Sequence, residues 1–387
     1  MSLPPLTARA QDIQPFHVMD ILARARALEA AGRDIVHMEI GEPDFATAFP
    51  IIEAGMQALR AGHTHYTPAL GLPALREAIA DFYSSRYGVE MAAARIIVTP
   101  GASGALLLAL ATLLGRDDEL LLADPGYPCN RHFARFLEAR ARGIALGPAS
   151  RYQLTAEAVA AHWQAHTRAV LVASPANPTG TLISSEALRG LYGTISERGG
   201  ALVVDEIYHG LTYGCDAHTA AAVSDEVFVV NSFSKYFGMT GWRLGWLVAP
   251  TAFLPALERL AQNLFLAPST IAQHAALAAF RPDTLAILEE RREAFRQRRD
   301  FLVPALRELG FSVPVLPDGA FYVYAGCERF SDDSMALAQR LLEEAGVAVT
   351  PGVDFGSHQA RHHLRFAYTT GMKRLEEGVA RLARILR

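Results

Sequence analysis

The chain has 387 residues, of which 51% are hydrophobic and 20% are charged, and its formal net charge is −4. This composition excludes a disordered chain, and at roughly 100–200 residues per domain the length predicts two or three domains. The slightly acidic balance argues against nucleic acid or an anionic membrane as the main partner, because both attract basic surfaces.

The three cysteines, Cys129, Cys215 and Cys327, lie far apart and show no spacing typical of metal ligands or of a disulfide framework. No apolar run reaches the length of a membrane span, and the first residues do not resemble a signal peptide. We therefore expect a soluble, globular protein of the cytoplasm, and we predict no metal site.

Three N-terminal helices are predicted, over 17–32, 51–61 and 71–86. In the third, apolar residues recur about every 3.6 positions. From about residue 95, short runs rich in Val, Ile and Leu alternate with helical stretches. These runs are predicted strands: 95–99, 119–123, 169–173, 201–205, 227–231 and 243–248. Near-continuous apolar strands separated by helices are typical of a mostly parallel sheet that helices cover on both faces.

Residues 252–310 are predicted to be largely helical, and the sequence after them mixes helices with strands. Three further strands are predicted there: 321–325, 347–351 and 364–368. The predicted fold class is α/β, with a large domain at 45–285 in which helices sandwich the mostly parallel sheet. A smaller α+β domain is predicted to combine residues 1–44 with residues 286–387.

Polar side chains follow several predicted strands, at the edge where open α/β sheets bind ligands. The strand at 95–99 leads through a Gly/Ser turn into an apolar helix, and backbone amides at such a helix start bind anions. Tyr127 and Asn177 follow two later strands, in segments that an ordinary turn explains equally well. Asp205 ends a buried strand, so it needs a cationic partner, either a ligand or one of the many arginines.

Lysine is rare in this chain: of 36 basic residues, only Lys235 and Lys373 are lysines. Codon bias explains the pattern as a whole, and Lys373 is interpreted as a solvated residue of a polar helix. Lys235 lies among aromatic, glycine and hydroxyl residues, near Ser232, Ser234 and Arg243. Because an amine forms an imine and a guanidinium does not, the cluster predicts a phosphorylated ligand held covalently by Lys235.

Eight segments in order resemble those of class I/II aminotransferases, which are pyridoxal-phosphate enzymes with the aspartate aminotransferase fold (fold type I). The segments are IGEPDF at 40–45, YTPALGLPALREAIA at 66–80, TPGASGAL at 99–106, DPGYP at 124–128, SPANPTG at 174–180, DEIY at 205–208, SFSKYFGMTGWRLGW at 232–246 and LRFAY at 364–368. This resemblance implies pyridoxal 5'-phosphate as the cofactor. It also implies ping-pong transfer of an amino group from an L-amino acid to a 2-oxo acid, with the cofactor alternating between its aldehyde and amine forms.

The resemblance assigns roles to residues of the cofactor site. Lys235 would bond the cofactor aldehyde and, once freed by the substrate amine, would move the proton at the substrate Cα. Asp205 would pair with the pyridine nitrogen, and Tyr127 would stack on the ring. Asn177 and Tyr208 would hydrogen-bond the phenolic oxygen of the ring. The other cofactor residues would hold the phosphate: Gly101, Ala102, Ser103, Ser232 and Arg243.

Arg365 resembles the arginine that binds the substrate carboxylate through two hydrogen bonds. Gly41, Asn177 and Tyr127 would line the same part of the pocket. Tyr66 resembles the tyrosine that reaches the phosphate bound to the neighbouring subunit. This implies an obligate homodimer with shared active sites.

Two other functions are compatible with parts of this sequence pattern. A β-eliminating C–S lyase or a cyclopropane-forming synthase on the same fold shares the cofactor residues, but IGEPDF and GMTGWRLGW favour the aminotransferases. The effector domain of a transcription regulator would need an added DNA-binding domain, and neither room before residue 40 nor a basic patch supports one.

The sequence does not specify the side chain of the amino donor. Arg131 and Arg135, just after DPGYP, are candidates for binding a distal carboxylate, although surface positions are the commoner use of arginine in this chain. By resemblance, the segment around Phe16 and Val18 closes over the pocket, and an apolar lid favours neutral or aromatic amino acids over aspartate. The acceptor is expected to be 2-oxoglutarate or pyruvate.

Overall fold

The computed structural model describes residues 4–386. Helices account for most of the described elements, and no helix in this range is both long and apolar enough to cross a bilayer. In chain order they are α1 (Ala8–Asp12), α2 (His17–Ala30), α3 (Phe49–Arg60), α4 (Pro73–Tyr87), α5 (Gly101–Leu113), α6 (Cys129–Phe136), α7 (Ala156–His162), α8 (Ser185–Ser196), α9 (Leu254–Leu264), α10 (Thr270–Leu277), α11 (Pro282–Leu309), α12 (Ser334–Arg340) and α13 (Met372–Leu386).

The strands form two separate sheets. They are β1 (Val36–Met38), β2 (Ile96–Thr99), β3 (Glu119–Asp124), β4 (Arg140–Ala145), β5 (Thr167–Ala173), β6 (Ala201–Asp205), β7 (Phe228–Ser232), β8 (Gly245–Val248), β9 (Tyr322–Gly326), β10 (Val347–Pro351) and β11 (His363–Ala367). Every strand predicted from an apolar run is present, with limits that differ from the predicted ones by at most two residues.

The larger sheet has seven strands in the order β2-β8-β7-β6-β5-β3-β4. β8 is antiparallel to both of its neighbours, and every other pairing is parallel. Six strands therefore run in one direction and end at the same edge of the sheet. This is the predicted mostly parallel sheet, and it places the ends of β3, β5 and β6 side by side.

Alternate residues of each strand pack into two different cores, because successive side chains point to opposite faces of a sheet. On β5, Val170 and Val172 belong to the core on one face, whereas Ala169 and Leu171 belong to the core on the other. Helix α5 covers the second face and packs on β7 and β8. Burial on both faces explains why the strands read as continuous apolar runs.

The smaller sheet has the order β1-β10-β11-β9. β1 pairs in parallel with β10, whereas β10 with β11 and β11 with β9 are antiparallel. The N-terminal segment thus joins the C-terminal part of the chain, as expected for the smaller domain. The domain limits at residues 45 and 285 stay a prediction.

The sequence pattern missed two strands. β1 has only three residues, which is too short for a periodic signal. β4 reads RARGIA and lies at the sheet edge, where only Ile144 is buried. An edge strand exposes much of its surface to water, so it lacks the apolar run that marked the inner strands.

Candidate active site

A cavity of about 460 Å³ lies at the carboxyl edge of the larger sheet and extends to β11 of the smaller sheet. Its volume suits a ligand of the size of a cofactor with a small substrate. Ten of the predicted site residues line it: Gly41, Ala102, Ser103, Tyr127, Asn177, Asp205, Tyr208, Lys235, Arg243 and Arg365. Residues separated by more than 300 positions in the sequence therefore share one cavity.

Lys235 follows β7 and points its amine into this cavity. Its Nζ donates a hydrogen bond to the carbonyl oxygen of Gly41, at 2.7 Å. Loss of hydration lowers the pKa of Lys235 to about 8; the carboxylate of Glu42 acts in the opposite direction, and Arg365 adds to the lowering. A lysine with this pKa is partly neutral near pH 7, as a nucleophilic or basic amine must be.

Asp205 is the last residue of β6 and is only 5% exposed. Burial raises its pKa to about 6, against the lowering effects of a hydrogen bond from the Ile207 amide and of the Lys235 charge. The Ile207 N–H donates to Oδ1 at 3.0 Å. A buried carboxylate that water does not stabilise is suited to pair with a cationic group of a ligand.

Arg365 on β11 is held by three acceptors that belong to different parts of the chain. Nη1 donates to Oδ1 of Asn177 at 2.9 Å, while Nη2 donates to the Glu39 carbonyl at 2.7 Å and to Oγ1 of Thr350 at 3.1 Å. The guanidinium also lies 4.2 Å from the ring centroid of Tyr322.

The buried Nε of Arg365 has no hydrogen-bond partner among the described residues. Arg365 also lines the cavity, and a guanidinium held in a fixed position there is suited to bind a carboxylate. This geometry agrees with the carboxylate-binding role predicted for Arg365 from its position in LRFAY.

Gly101 and Arg243 build a cradle at the start of α5. Gly101 has a φ of +73°, and a Cβ on this residue would lie 2.6 Å from Nη2 of Arg243. Gly245 on β8 allows the same close approach, since its Cβ would lie 2.8 Å from the amide nitrogen of Ala102. The cradle thus combines free amides at a helix start with a guanidinium, which are the donors that a phosphate group requires.

Tyr322 is a site residue that the sequence reasoning missed. Its hydroxyl lies 2.9 Å from that of Tyr208, and its ring contacts Arg365. A Cβ on Gly41 would collide with the Tyr322 hydroxyl, so this glycine makes room for the tyrosine. Only its position in the predicted strand at 321–325 pointed to Tyr322, and that strand carried no recognised motif.

Three predicted residues lie outside the cavity lining. Gly101 lies behind Ala102 in the cradle. Ser232 is buried, where its hydroxyl donates to the Leu244 carbonyl at 3.1 Å and accepts from the Ser234 amide at 3.0 Å. Ser234 takes its place at the cavity surface. Tyr66 is 81% exposed on the outside of the chain.

The two arginines considered for a distal carboxylate bind other groups. Nη2 of Arg131 donates to the carbonyl oxygen of Asp354 at 3.0 Å. Arg135 forms an ion pair with Asp12 of α1. Neither arginine lines the cavity. Phe16 and Val18, by contrast, do line it, as the apolar lid requires.

The residues present fit pyridoxal phosphate. The amine of Lys235 suits its aldehyde, the carboxylate of Asp205 suits its ring nitrogen, and the Gly101–Arg243 cradle suits its phosphate. These groups all belong to the same edge of the larger sheet, and a Cβ on Gly101 would obstruct the cradle.

Comparisons with known proteins agree with this site. Residues 33–382 match the family model described as aminotransferase class I and II. The valine–pyruvate aminotransferase of Mycobacterium tuberculosis is 37% identical over 96% of this chain and 96% of that protein. The aspartate aminotransferase of Geobacillus stearothermophilus is 34% identical over 98% of each chain. Among solved structures, Thermus thermophilus aspartate aminotransferase with maleate has a TM-score of 0.93 and 35% identity, covering 99% of this chain and 100% of that one.

Replacing Gly101 with alanine is expected to weaken cofactor binding about tenfold or more. The added methyl group would meet Arg243 and would also force an L-residue into a left-handed φ, which costs of order 1 kcal/mol or more. The dissociation constant is read from the absorbance change when pyridoxal phosphate is titrated into the apoprotein. Gly193→Ala is the control, because this helical glycine has open space where a Cβ would lie. Equal affinity in both variants would contradict the phosphate cradle.

Proposed function

Since this chain belongs to the class I and II aminotransferases, we propose that its amino donor is a neutral L-amino acid with an aliphatic or aromatic side chain. The enzyme is a pyridoxal-phosphate-dependent aminotransferase that moves an amino group from an L-amino acid to a 2-oxo acid. Relatives of similar identity are named for valine, for aspartate and for prephenate, so their names do not select a donor. The proposal rests on the cavity itself.

Bound pyridoxal phosphate supplies an aldehyde that bonds amines and a ring that stabilises negative charge at the substrate Cα. Lys235 would bond this aldehyde in the resting enzyme and, once free, would move a proton from the substrate Cα to C4′ of the cofactor. Asp205 keeps the ring nitrogen protonated through its negative charge. Asn177 and Tyr208, which line the cavity, would hydrogen-bond the phenolic oxygen of the ring, and Tyr127 would stack on the ring.

Arg365 binds the substrate carboxylate and thereby orients the Cα–H bond toward Lys235. Its Nη atoms are held by Asn177, Glu39 and Thr350, so the guanidinium does not need to reorganise when a substrate arrives. Ala102, Ser103 and Arg243 would anchor the phosphate at the opposite end of the cavity, together with the Gly101 backbone and with Ser234, which takes the place predicted for Ser232. The distance between the two anchors sets which substrate atom faces the amine.

The observation that carries the donor proposal is the apolar wall of the cavity. The wall consists of Phe16, Ile40 and three residues of α2, Val18, Met19 and Leu22. Arg26, one turn after Leu22 on α2, also lines the cavity, but its side chain is exposed to solvent. A distal carboxylate placed among the apolar side chains would lose its hydration, which is costly.

The donor is identified by adding single amino acids to the holoenzyme without an oxo acid and recording the absorption spectrum. We expect valine, leucine, methionine and phenylalanine to convert the cofactor to its amine form faster than aspartate and glutamate. A subsequent pulse of pyruvate or 2-oxoglutarate identifies the acceptor by restoring the spectrum. Preferential conversion by aspartate would contradict the proposal, and ammonia release instead of conversion would indicate a lyase.

Lys235→Ala is expected to abolish transamination, with a loss of at least about a thousandfold in kcat, because no other amine can replace it. Lys373→Ala is the matched control, since it removes the only other lysine of the chain. Transamination is measured with the best donor of the panel. Activity of Lys235→Ala near that of the control would contradict the assigned role.

We also propose that the enzyme is a homodimer in which Tyr66 of each subunit reaches the phosphate bound by the other. Tyr66 is exposed, and so are other apolar residues that a partner would cover: Phe49 and Leu59 on α3, and Leu264 and Leu266 at the end of α9. The Tyr66 segment is joined to α10 by a hydrogen bond from Thr270 to the His65 carbonyl, at 2.7 Å.

A cytoplasmic location is proposed from the cysteine content alone.

Mixing two inactive or weakened variants tests the shared site. A Lys235→Ala chain keeps Tyr66, and a Tyr66→Phe chain keeps Lys235, so one site of the mixed dimer is complete. We expect subunit exchange to restore pyridoxal-phosphate affinity and up to half of the wild-type sites. An unchanged affinity after exchange, or a monomer by analytical ultracentrifugation, would contradict the homodimer.

A further inference from the structure

Helix α2 forms one wall of the cavity but lacks a cap of its own. Val18, Met19 and Leu22 of this helix line the cavity. The residue that precedes the helix, Phe16, has no side chain that accepts a hydrogen bond, so the first amides need an acceptor from elsewhere. The position of this wall therefore depends on a group outside the helix.

Asp354 supplies that acceptor from the smaller sheet. It lies in the turn after β10, is 2% exposed, and accepts hydrogen bonds from the amides of His17 and Val18, each at 2.9 Å. One carboxylate oxygen serves each amide. A carboxylate at a helix start is also favoured by the helix dipole.

Asp354 is itself fixed by Arg131 on α6. The guanidinium of Arg131 donates to the Asp354 carbonyl at 3.0 Å, which ties the segment after DPGYP to the start of α2. Phe16 completes the connection, since its ring meets the ring of Tyr127 edge-on at a centroid distance of 6.4 Å. Three elements therefore converge on the N-terminus of α2.

We propose that Asp354 is a positioning residue that sets the side-chain selectivity of the enzyme by holding the α2 wall at a fixed distance from the cofactor site. Asp354 does not line the cavity, so it acts through α2. The amide that it binds and the side chain that contacts the donor belong to the same residue, Val18. If the α2 wall is displaced, it loses contact with a large apolar side chain of the amino donor. Binding of a donor with a small side chain, such as alanine, changes little. The inference rests on the proposed neutral donor.

Asp354→Asn tests the proposal, because it keeps the shape of the side chain while it removes the charge and turns one acceptor into a donor. We expect kcat/KM for leucine and phenylalanine to fall about tenfold, mainly through KM, as the loss of a cap implies. For alanine we expect a change of less than about threefold. The ratio of these specificity constants is a readout that a general loss of stability would not move.

Asp333→Asn is the matched control. Asp333 also caps a helix: its Oδ1 accepts from the amides of Met335 and Ala336 at 3.0 and 3.1 Å, but no residue of the helix that it caps, α12, lines the cavity. The control is expected to leave the leucine-to-alanine ratio unchanged. A second variant, Arg131→Gln, leaves the cap in place and removes only the tie to its carbonyl, so it is expected to lower the ratio by a smaller factor.

The outcomes separate this inference from the proposed function. The donor panel with the wild-type enzyme tests the proposed neutral donor. The change in the leucine-to-alanine ratio of kcat/KM from wild type to variant tests the role of Asp354. A leucine-to-alanine ratio that falls in Asp354→Asn and holds in Asp333→Asn supports the inference. An equal loss for all donors, or no change in the ratio, overturns it. If Asp354→Asn does not fold, Arg131→Gln replaces it: a lower leucine-to-alanine ratio supports the inference, and an unchanged ratio overturns it.

Discussion

Loss of hydration around two opposite charges is the constraint on which this site depends. Lys235 and Asp205 line one cavity, and burial moves the pKa of each toward neutrality, to about 8 for the lysine and about 6 for the aspartate. A solvated lysine would stay protonated at pH 7 and could not act as a nucleophile. The parallel sheet creates this environment, because strands buried on both faces bring their polar end residues into the same dry edge.

The two sheets contribute different parts of the site. The larger sheet carries the amine, the carboxylate and the phosphate cradle. The smaller sheet carries Arg365, and the turn after β10 carries Asp354. The hydrogen bond between Arg365 and Asn177 joins the two parts at 2.9 Å. Cofactor chemistry and substrate recognition are thus assigned to separate frameworks, so a change in one wall can alter selectivity without touching the amine.

Much of the site could be predicted because its residues occupy strand ends or recognisable motifs. Lys235 stood out as one of two lysines, and Asp205 as a carboxylate at the end of an apolar strand. Other features had no such signal. Tyr322 lies within an ordinary strand, and β4 lacks an apolar run because it lies at the sheet edge. Arg131 was considered for substrate binding on sequence proximity alone, and its partner is the Asp354 carbonyl.

The sequence by itself determined most of the element order and, through motifs that resemble those of class I and II aminotransferases, the class of chemistry and the residues predicted to perform it. Periodicity, strand-end polarity and short motifs are local properties of a chain. Only the tertiary structure decided that Gly41 makes room for Tyr322 and that Asp354 caps a helix 336 residues away from it. Such pairings depend on how the two sheets pack against each other. A local pattern contains no information about which distant backbone amide a buried carboxylate will meet.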